Sequence, residues 1–250
     1  MLEFFEQIQK DFTMCFIDKD RWEFYVEGLF STLSMTAIAL IIGATIGIII
    51  AIVRTTWEKN GENMHGASRI ILLICNALCK IYLTVIRGTP VIIQLMIIYY
   101  VIFASSNNGL LIGSIAFGIN SGAYVAEIFR GGIMSIDNGQ FEAGRSLGFN
   151  YLQTMKSIIL PQALRNVLPT LANEFIVLLK ETSVAGYVSV MDLTKAGDIV
   201  RGATYIQFMP LIIVAAIYLI LVMFFTFLVG KIEKKFSQNS KISKVKKAGI

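Results

Sequence analysis

The chain has 250 residues, of which 55% are hydrophobic and 16% charged. Soluble domains carry about 25% charged residues, so this composition excludes an ordinary soluble protein and fits one membrane-embedded domain. The net charge of +5 owes much to Lys231, Lys234, Lys235, Lys241, Lys244, Lys246 and Lys247; a short basic end on a membrane core suits a cytoplasmic tail near anionic lipid, not nucleic acid.

Residues 1–26 are mixed in charge. Glu3, Glu6 and Asp11 stand where a cleaved signal would need cations followed by an apolar run. Trp22, Phe24 and Tyr25 fit an interfacial aromatic belt. Residues 28–53 carry no charge and are long enough to cross about 30 Å of hydrocarbon. Gly43 and Gly47, four apart, either permit close helix contact or are simply tolerated there. Residues 54–69 read as a polar connection, placed inside by Arg54, Lys59 and Arg69.

Residues 70–103 are too long for one straight span and are interrupted at Arg87-Gly88-Thr89-Pro90. An arginine at membrane depth needs a cavity or a partner, and Pro90 frees backbone groups that only protein or water can satisfy. A broken helix beside a cation is a pattern of transporter substrate sites. The same residues also fit an arginine that snorkels to an interface while Pro90 opens a new helix.

Residues 104–109 lack Lys and Arg and fit the outside. Residues 110–133 are rich in small side chains that let helices pack closely in lipid; Tyr124 and Glu127 share a face, and Arg130 sits near the inner end. Residues 164–181 contain Pro169, with Glu174 and Glu181 on one face. Residues 183–205 read as a packed outer loop, and 208–230 as a last uncharged span. Five spans with an outside N-terminus put 54–69, 134–157 and 231–250 inside; Lys195 and Arg201 are the exceptions to that charge pattern. The expected organisation is an extracytoplasmic segment 1–26, a transmembrane domain 27–230 and a basic cytoplasmic tail 231–250.

Chemistry-bearing motifs are absent. Cys15, Cys75 and Cys79 form neither a disulfide framework nor a metal-ligand set, and His65, the one histidine, lies in a polar loop. No G-x-x-x-x-G-K-[ST] occurs to cradle ATP phosphates. Energy for any transport must come from a gradient or from a partner.

The remaining polar island is QFEAGRSLGFNYLQTMKSIILPQA, residues 140–163. Asp137 can cap a short helix with Gln140 at its third position, in the manner of a capping box. Gly148 supplies a left-handed stop. Asn150 with Gln153 repeats the start signal, and Pro161 limits how far the second helix runs unkinked. This stretch resembles the EAA loop of ABC importer permeases: E-A-A, three residues, G, nine residues, I-x-L-P. It matches at Glu142, Ala143, Gly148, Ile158, Leu160 and Pro161, and departs where Gly144 replaces the third alanine. RGTP at 87–90, SGAYVAEIFRGGI at 121–133 and LLKETSV at 178–184 resemble the polar amino-acid branch of that family.

The resemblance implies an all-α membrane protein with about five transmembrane helices and a short cytoplasmic coupling helix, the type I ABC importer permease fold. It implies a multi-pass protein of the bacterial cytoplasmic membrane that is not itself an enzyme and holds no cofactor. Expected partners are an ABC ATPase carrying ATP and Mg, an extracytoplasmic substrate-binding protein, a second permease subunit of the same or a homologous chain, and membrane lipid. Coupling falls to Gln140, Glu142, Ala143, Gly144, Gly148, Leu160 and Pro161. Arg87, Thr89, Gln94, Tyr124, Glu127, Glu181 and Ser183 are the candidate residues for an amino acid, which needs both of its charges matched in a dry site. The competing reading is an ion-coupled secondary transporter using Glu127, Glu174 or Glu181 as proton sites; the lack of an internal repeat argues against it.

Overall fold

The computed structural model describes residues 2–62 and 64–248, and the side chains of residues 2, 232 and 235–250 lie outside the described residues. Ten α-helices, joined by short 3-10 and π turns, account for nearly all of it, with no strand among the described residues. They are α1 (Leu2–Phe12), α2 (Trp22–Asn60), α3 (Ala67–Gly88), α4 (Val91–Ile97), α5 (Gly109–Met134), α6 (Asn138–Ser146), α7 (Tyr151–Thr154), α8 (Leu160–Glu181), α9 (Leu193–Thr204) and α10 (Met209–Ala248).

Among the described residues, α2, α3, α5 and the stretch Met209–Lys231 of α10 are long and apolar enough to span a bilayer. α8, the other expected span, has the length but not the apolarity. Arg165, Asn166, Glu174, Lys180 and Glu181 dilute it, so its polar positions need protein or water around them. The expected interruption after residue 87 is present: α3 stops at Gly88, and Pro90 is extended at φ −63°, ψ 136° before α4 begins. One boundary moves. Residues 54–60, expected in a polar connection, continue α2 to Asn60, because Arg54 and Glu58 sit one turn apart and pair at 3.0 Å, a spacing that supports a helix.

The chain divides into two compact units, Met1–Ile41 with Thr89–Ile119 and Phe175–Phe224, and Ile42–Gly88 with Asn120–Glu174 and Phe225–Ile250. In the first, Met35 and Ala39 of α2 bury against Leu95, Ile112, Phe117 and Leu178. A second cluster joins Cys15 and Tyr25 to Leu193, Ala196 and Val200 of α9 and to Met209 and Ile213 of α10. Residues 183–205, expected as a packed outer loop, contain most of a 3-10 turn (Thr182–Val188) and all of α9, which packs through Leu193, Ala196 and Val200. Asp192 is fully buried and caps α9 by accepting from the Thr194 and Lys195 amides at 3.1 and 3.0 Å. Burial raises its carboxyl above the ordinary range, since desolvation disfavours the charged form.

In the second unit, Gly47 gives the close helix contact that its spacing allows. A Cβ there would lie 2.6 Å from the Val125 side chain and 2.8 Å from the Ala126 amide. Around it Ile50, Leu83, Ala123 and Ala126 form one cluster, and Ala51, Val125, Phe129 and Val167 another.

Candidate functional site

Two polar regions stand out in the second unit. The first is an open cleft of about 600 Å³ lined by Arg54 of α2, Lys80, Thr84 and Arg87 of α3, and Tyr124 and Glu127 of α5. Lys80, Thr84 and Arg87 recur at helical spacing and share one face. Glu127 is gripped from its own helix, accepting from Arg130 Nη2 at 2.8 Å and Nε at 3.1 Å. Arg87 Nη1 approaches Glu127 to 4.0 Å, and its guanidinium lies 5.9 Å from the centre of the Tyr124 ring. Arg130 also reaches Glu58 at 3.6 Å. The result is an alternating chain, Arg54, Glu58, Arg130, Glu127, Arg87. It holds three cations and two anions, and Lys80 adds a further cation, so the cleft favours a ligand with an anionic group.

Of the seven sequence candidates, Arg87, Tyr124 and Glu127 come together here. Thr89 and Gln94 belong to the first unit and bind each other, with Gln94 Nε2 donating to the Thr89 hydroxyl at 2.7 Å and to its carbonyl at 3.1 Å. That pair serves the interruption, satisfying a carbonyl beside Pro90. Glu181 ends α8 and Ser183 lies in the 3-10 turn after it, also in the first unit. Lys80 in the cleft, and Glu58 and Arg130 in the charge chain beside it, were not singled out from sequence. The signal available was the one-turn spacing of Arg54 with Glu58 and the spacing of Glu127 with Arg130. Glu174, named as an intramembrane carboxylate, is buried and accepts from the Ser121 hydroxyl at 3.0 Å.

The second region is the helix pair α6 and α7. Asp137 caps α6 by accepting from Gly139 at 2.6 Å. The expected return bond from Gln140 is replaced: its side-chain oxygen accepts from Gln162 at 3.1 Å, tying α6 to α8. Gly148 stands at φ +78°. The Phe149 amide reaches the Gly144 carbonyl at 3.1 Å and the Gly148 amide reaches Arg145 at 2.9 Å, the paired bonds of a Schellman stop. Asn150 and Gln153 exchange side-chain and backbone bonds at 2.9 Å in both directions, a full capping box. The turn Met155–Ile159 then widens to a π form, which opens room ahead of Pro161, whose ring and missing amide would disrupt a tight α-turn.

Gly144 is buried against α7. A Cβ on it would fall 2.5 Å from Thr154 Cγ2 and 2.6 Å from Thr154 Oγ1. This contact gives a packing reason for glycine where the EAA pattern has alanine. Phe141, one turn earlier on the same face, buries with Ile133, Ile159 and Ala163. The opposite face is left to solvent, with Glu142, Ala143 and Arg145 exposed and Leu147 and Leu152 at 69% and 75% exposure. Lys59 steadies the start of α6, donating to Asn138 at 2.7 Å and standing 5.0 Å from the Phe141 ring centre. Leu160 is half-buried and Pro161 exposed at the start of α8.

The family model for the binding-protein-dependent transport system inner membrane component matches residues 74–238. The chain belongs to that family. A Rickettsia bellii protein that carries the name of a glutamine transport system permease, GlnP, is 40% identical over 85% of this chain and 92% of its own. The arginine transport system permease ArtQ of Bacillus subtilis is 34% identical over 86% of this chain and 94% of its own. Among solved structures, an amino acid ABC transporter crystallised with histidines aligns at 38% identity with a TM-score of 0.74, covering 85% of this chain and 94% of that one. A subunit of the MetNI methionine transporter shares the fold at 21% identity and a TM-score of 0.73, over 88% of this chain and 99% of that one. This permease is therefore a multi-pass inner membrane component of an ABC transporter of the polar amino-acid branch, and not itself an enzyme.

Proposed function

We propose that this permease forms the translocation path of an ATP-driven importer of polar amino acids. An external binding protein delivers the substrate, and a separate ATPase drives the cycle through the loop at 137–161. The observation that carries the reading is the build of α6 and α7. Two caps, a left-handed glycine and the Gly144–Thr154 contact hold the pair rigidly, while Glu142, Ala143, Leu147 and Leu152 face outward. A rigid element with exposed leucines at a solvent-facing position suits docking to a partner better than it suits a free surface. The relatives' names and the histidine-bound neighbour support an amino acid as cargo.

Within the permease, Arg87 is the proposed contact for a substrate carboxylate. It is half exposed toward the cleft and only 4.0 Å from one carboxylate oxygen, so it can exchange that partner for a ligand. Glu127, which lines the same cleft, is proposed for the ammonium group. Reconstitution with the ATPase and binding protein tests the proposal. Uptake should require both partners and ATP, and should persist when the proton gradient is collapsed. Uptake that survives removal of the ATPase but not of the proton gradient overturns it in favour of a secondary transporter.

A further inference from the structure

The N-terminal helix takes no part in the cleft or the coupling pair. Phe4, Phe5, Ile8 and Phe12 recur along it at a spacing that places them within an arc of about 100°. Glu3, Glu6, Gln7, Gln9, Lys10 and Asp11 take the rest of the circumference. The apolar stripe is not buried by the chain: Phe4 and Phe5 are 66% and 63% exposed. A groove of about 680 Å³ runs between this stripe and Phe208, Met209 and Ile212, where α10 begins. α1 is held in that position. Phe12 stacks on Phe16 at 5.4 Å and Phe16 on Tyr25 at 5.8 Å, and the largely buried Arg21 donates to the Met14 carbonyl.

We infer that α1 lies in the membrane–water interface with this stripe set among lipid acyl chains. The groove meets the exposed apolar side of the last span. Leu211, Ile212, Leu219, Ile220, Met223 and Phe224 of α10 are exposed along the span, and the α1 stripe continues that apolar surface at the end where the span begins. Trp22 and Phe24, also exposed, stand at the opening of α2 as interfacial aromatics do. Acyl chains fill such a groove without needing a complementary shape. The polar face carries Glu3, Glu6 and Asp11 against Lys10 alone, so attraction to anionic headgroups does not hold the helix. Insertion of apolar side chains does, as for other interfacial helices of large amphipathicity, and the association is therefore insensitive to salt.

The test uses the full chain reconstituted into vesicles of phosphatidylethanolamine and phosphatidylglycerol with brominated acyl chains. In a background of Trp22→Phe with Trp57→Phe, the fluorescence of a Phe5→Trp variant should be quenched several-fold more strongly than that of a Glu6→Trp variant on the opposite face. The contrast should be the same at low and high salt. Ile8→Trp provides a second reporter on the stripe if the first variant folds poorly. Equal, weak quenching at the two faces overturns the inference. So does protection of the stripe accompanied by disulfide cross-linking between copies bearing Phe5→Cys, which would make a second copy the occupant.

Discussion

Replacing Gly144 by alanine is the sharpest test of how α6 and α7 are held together. The new methyl would enter at 2.5 Å from Thr154 Cγ2 and 2.6 Å from its Oγ1, both far inside ordinary contact. Overpacking of this kind costs about 1–3 kcal/mol, while the helix gains back about 1 kcal/mol when glycine becomes alanine. The net expectation is a loss of about 1 kcal/mol, a fall of about 2–4 °C in unfolding temperature for a chain of this size. Thr154→Ala removes the two nearest atoms and leaves its Cβ at a tight 3.0 Å. Its hydroxyl is buried without a hydrogen-bond partner among the described residues, so losing it is nearly neutral: the methyl's burial, about 1 kcal/mol, is offset by removing an unsatisfied group. The double variant should therefore regain most of the lost stability, with a coupling energy of about 1–2 kcal/mol between the two sites. Thermal unfolding in detergent of the four proteins closes the cycle, and stimulation of the partner ATPase reports whether α6 has shifted. Additive effects, or an unaltered unfolding temperature for Gly144→Ala alone, would refute the packing argument.

Gly148 stands at φ +78° with nothing within 4 Å of a Cβ, so valine there meets backbone strain alone, about 1–2 kcal/mol. Gly148→Val should insert into the membrane yet stimulate ATPase poorly, whereas Gly148→Asn should retain coupling; normal stimulation by the valine variant would count against a docking role. Arg87→Ala should leave the unfolding temperature almost unchanged, because a pair at 4.0 Å with one partner 48% exposed is worth about 1 kcal/mol or less, while uptake drops about tenfold or more if Arg87 binds the substrate carboxylate. Uptake at the normal rate excludes that role. Asp192 has its carboxyl raised by burial. The folded state therefore holds the proton more tightly than the unfolded one, and stability should fall as pH rises from about 4 through the raised value. Asp192→Asn should flatten that slope and keep the cap, whereas Asp192→Ala should cost about 0.5–2 kcal/mol; unfolding temperatures measured across pH decide it, and an unchanged slope in the asparagine variant would discard the assignment. In a background with Cys15, Cys75 and Cys79 replaced, a thiol at Ser106 should react from outside and one at Asn60 only from inside; the reverse pattern inverts the proposed topology.

The elements that punctuation controls were legible. Gly148, the Asn150–Gln153 box and the Gly88–Pro90 interruption each depend on a local rule that one or two residues satisfy. Gly47 was legible only as a possibility, because whether a small residue faces a neighbour depends on the partner helix. The end of α2 was misjudged because Arg54 and Lys59 mark a side of the membrane, and charge on a span's end says little about where the helix stops. Gln140 fits a capping box by spacing alone, but a long side chain takes the best available partner, and Gln162 comes within reach only after folding. The salt-bridge chain through Glu58 and Arg130 was invisible for the same reason: it joins α2, α3 and α5 across distant stretches of sequence. Gly144 looked like a small defect in a motif, and only the position of Thr154 gives it a purpose.

The exposed leucines around α6 and α7 have a bearing on assembly. Leu147 and Leu152 lie on the solvent-facing side of a rigid helix pair, close to Phe149, which is also exposed. Under the docking proposed above, a partner subunit would cover these apolar side chains, so an unassembled copy would differ in surface from an assembled one without any change of conformation.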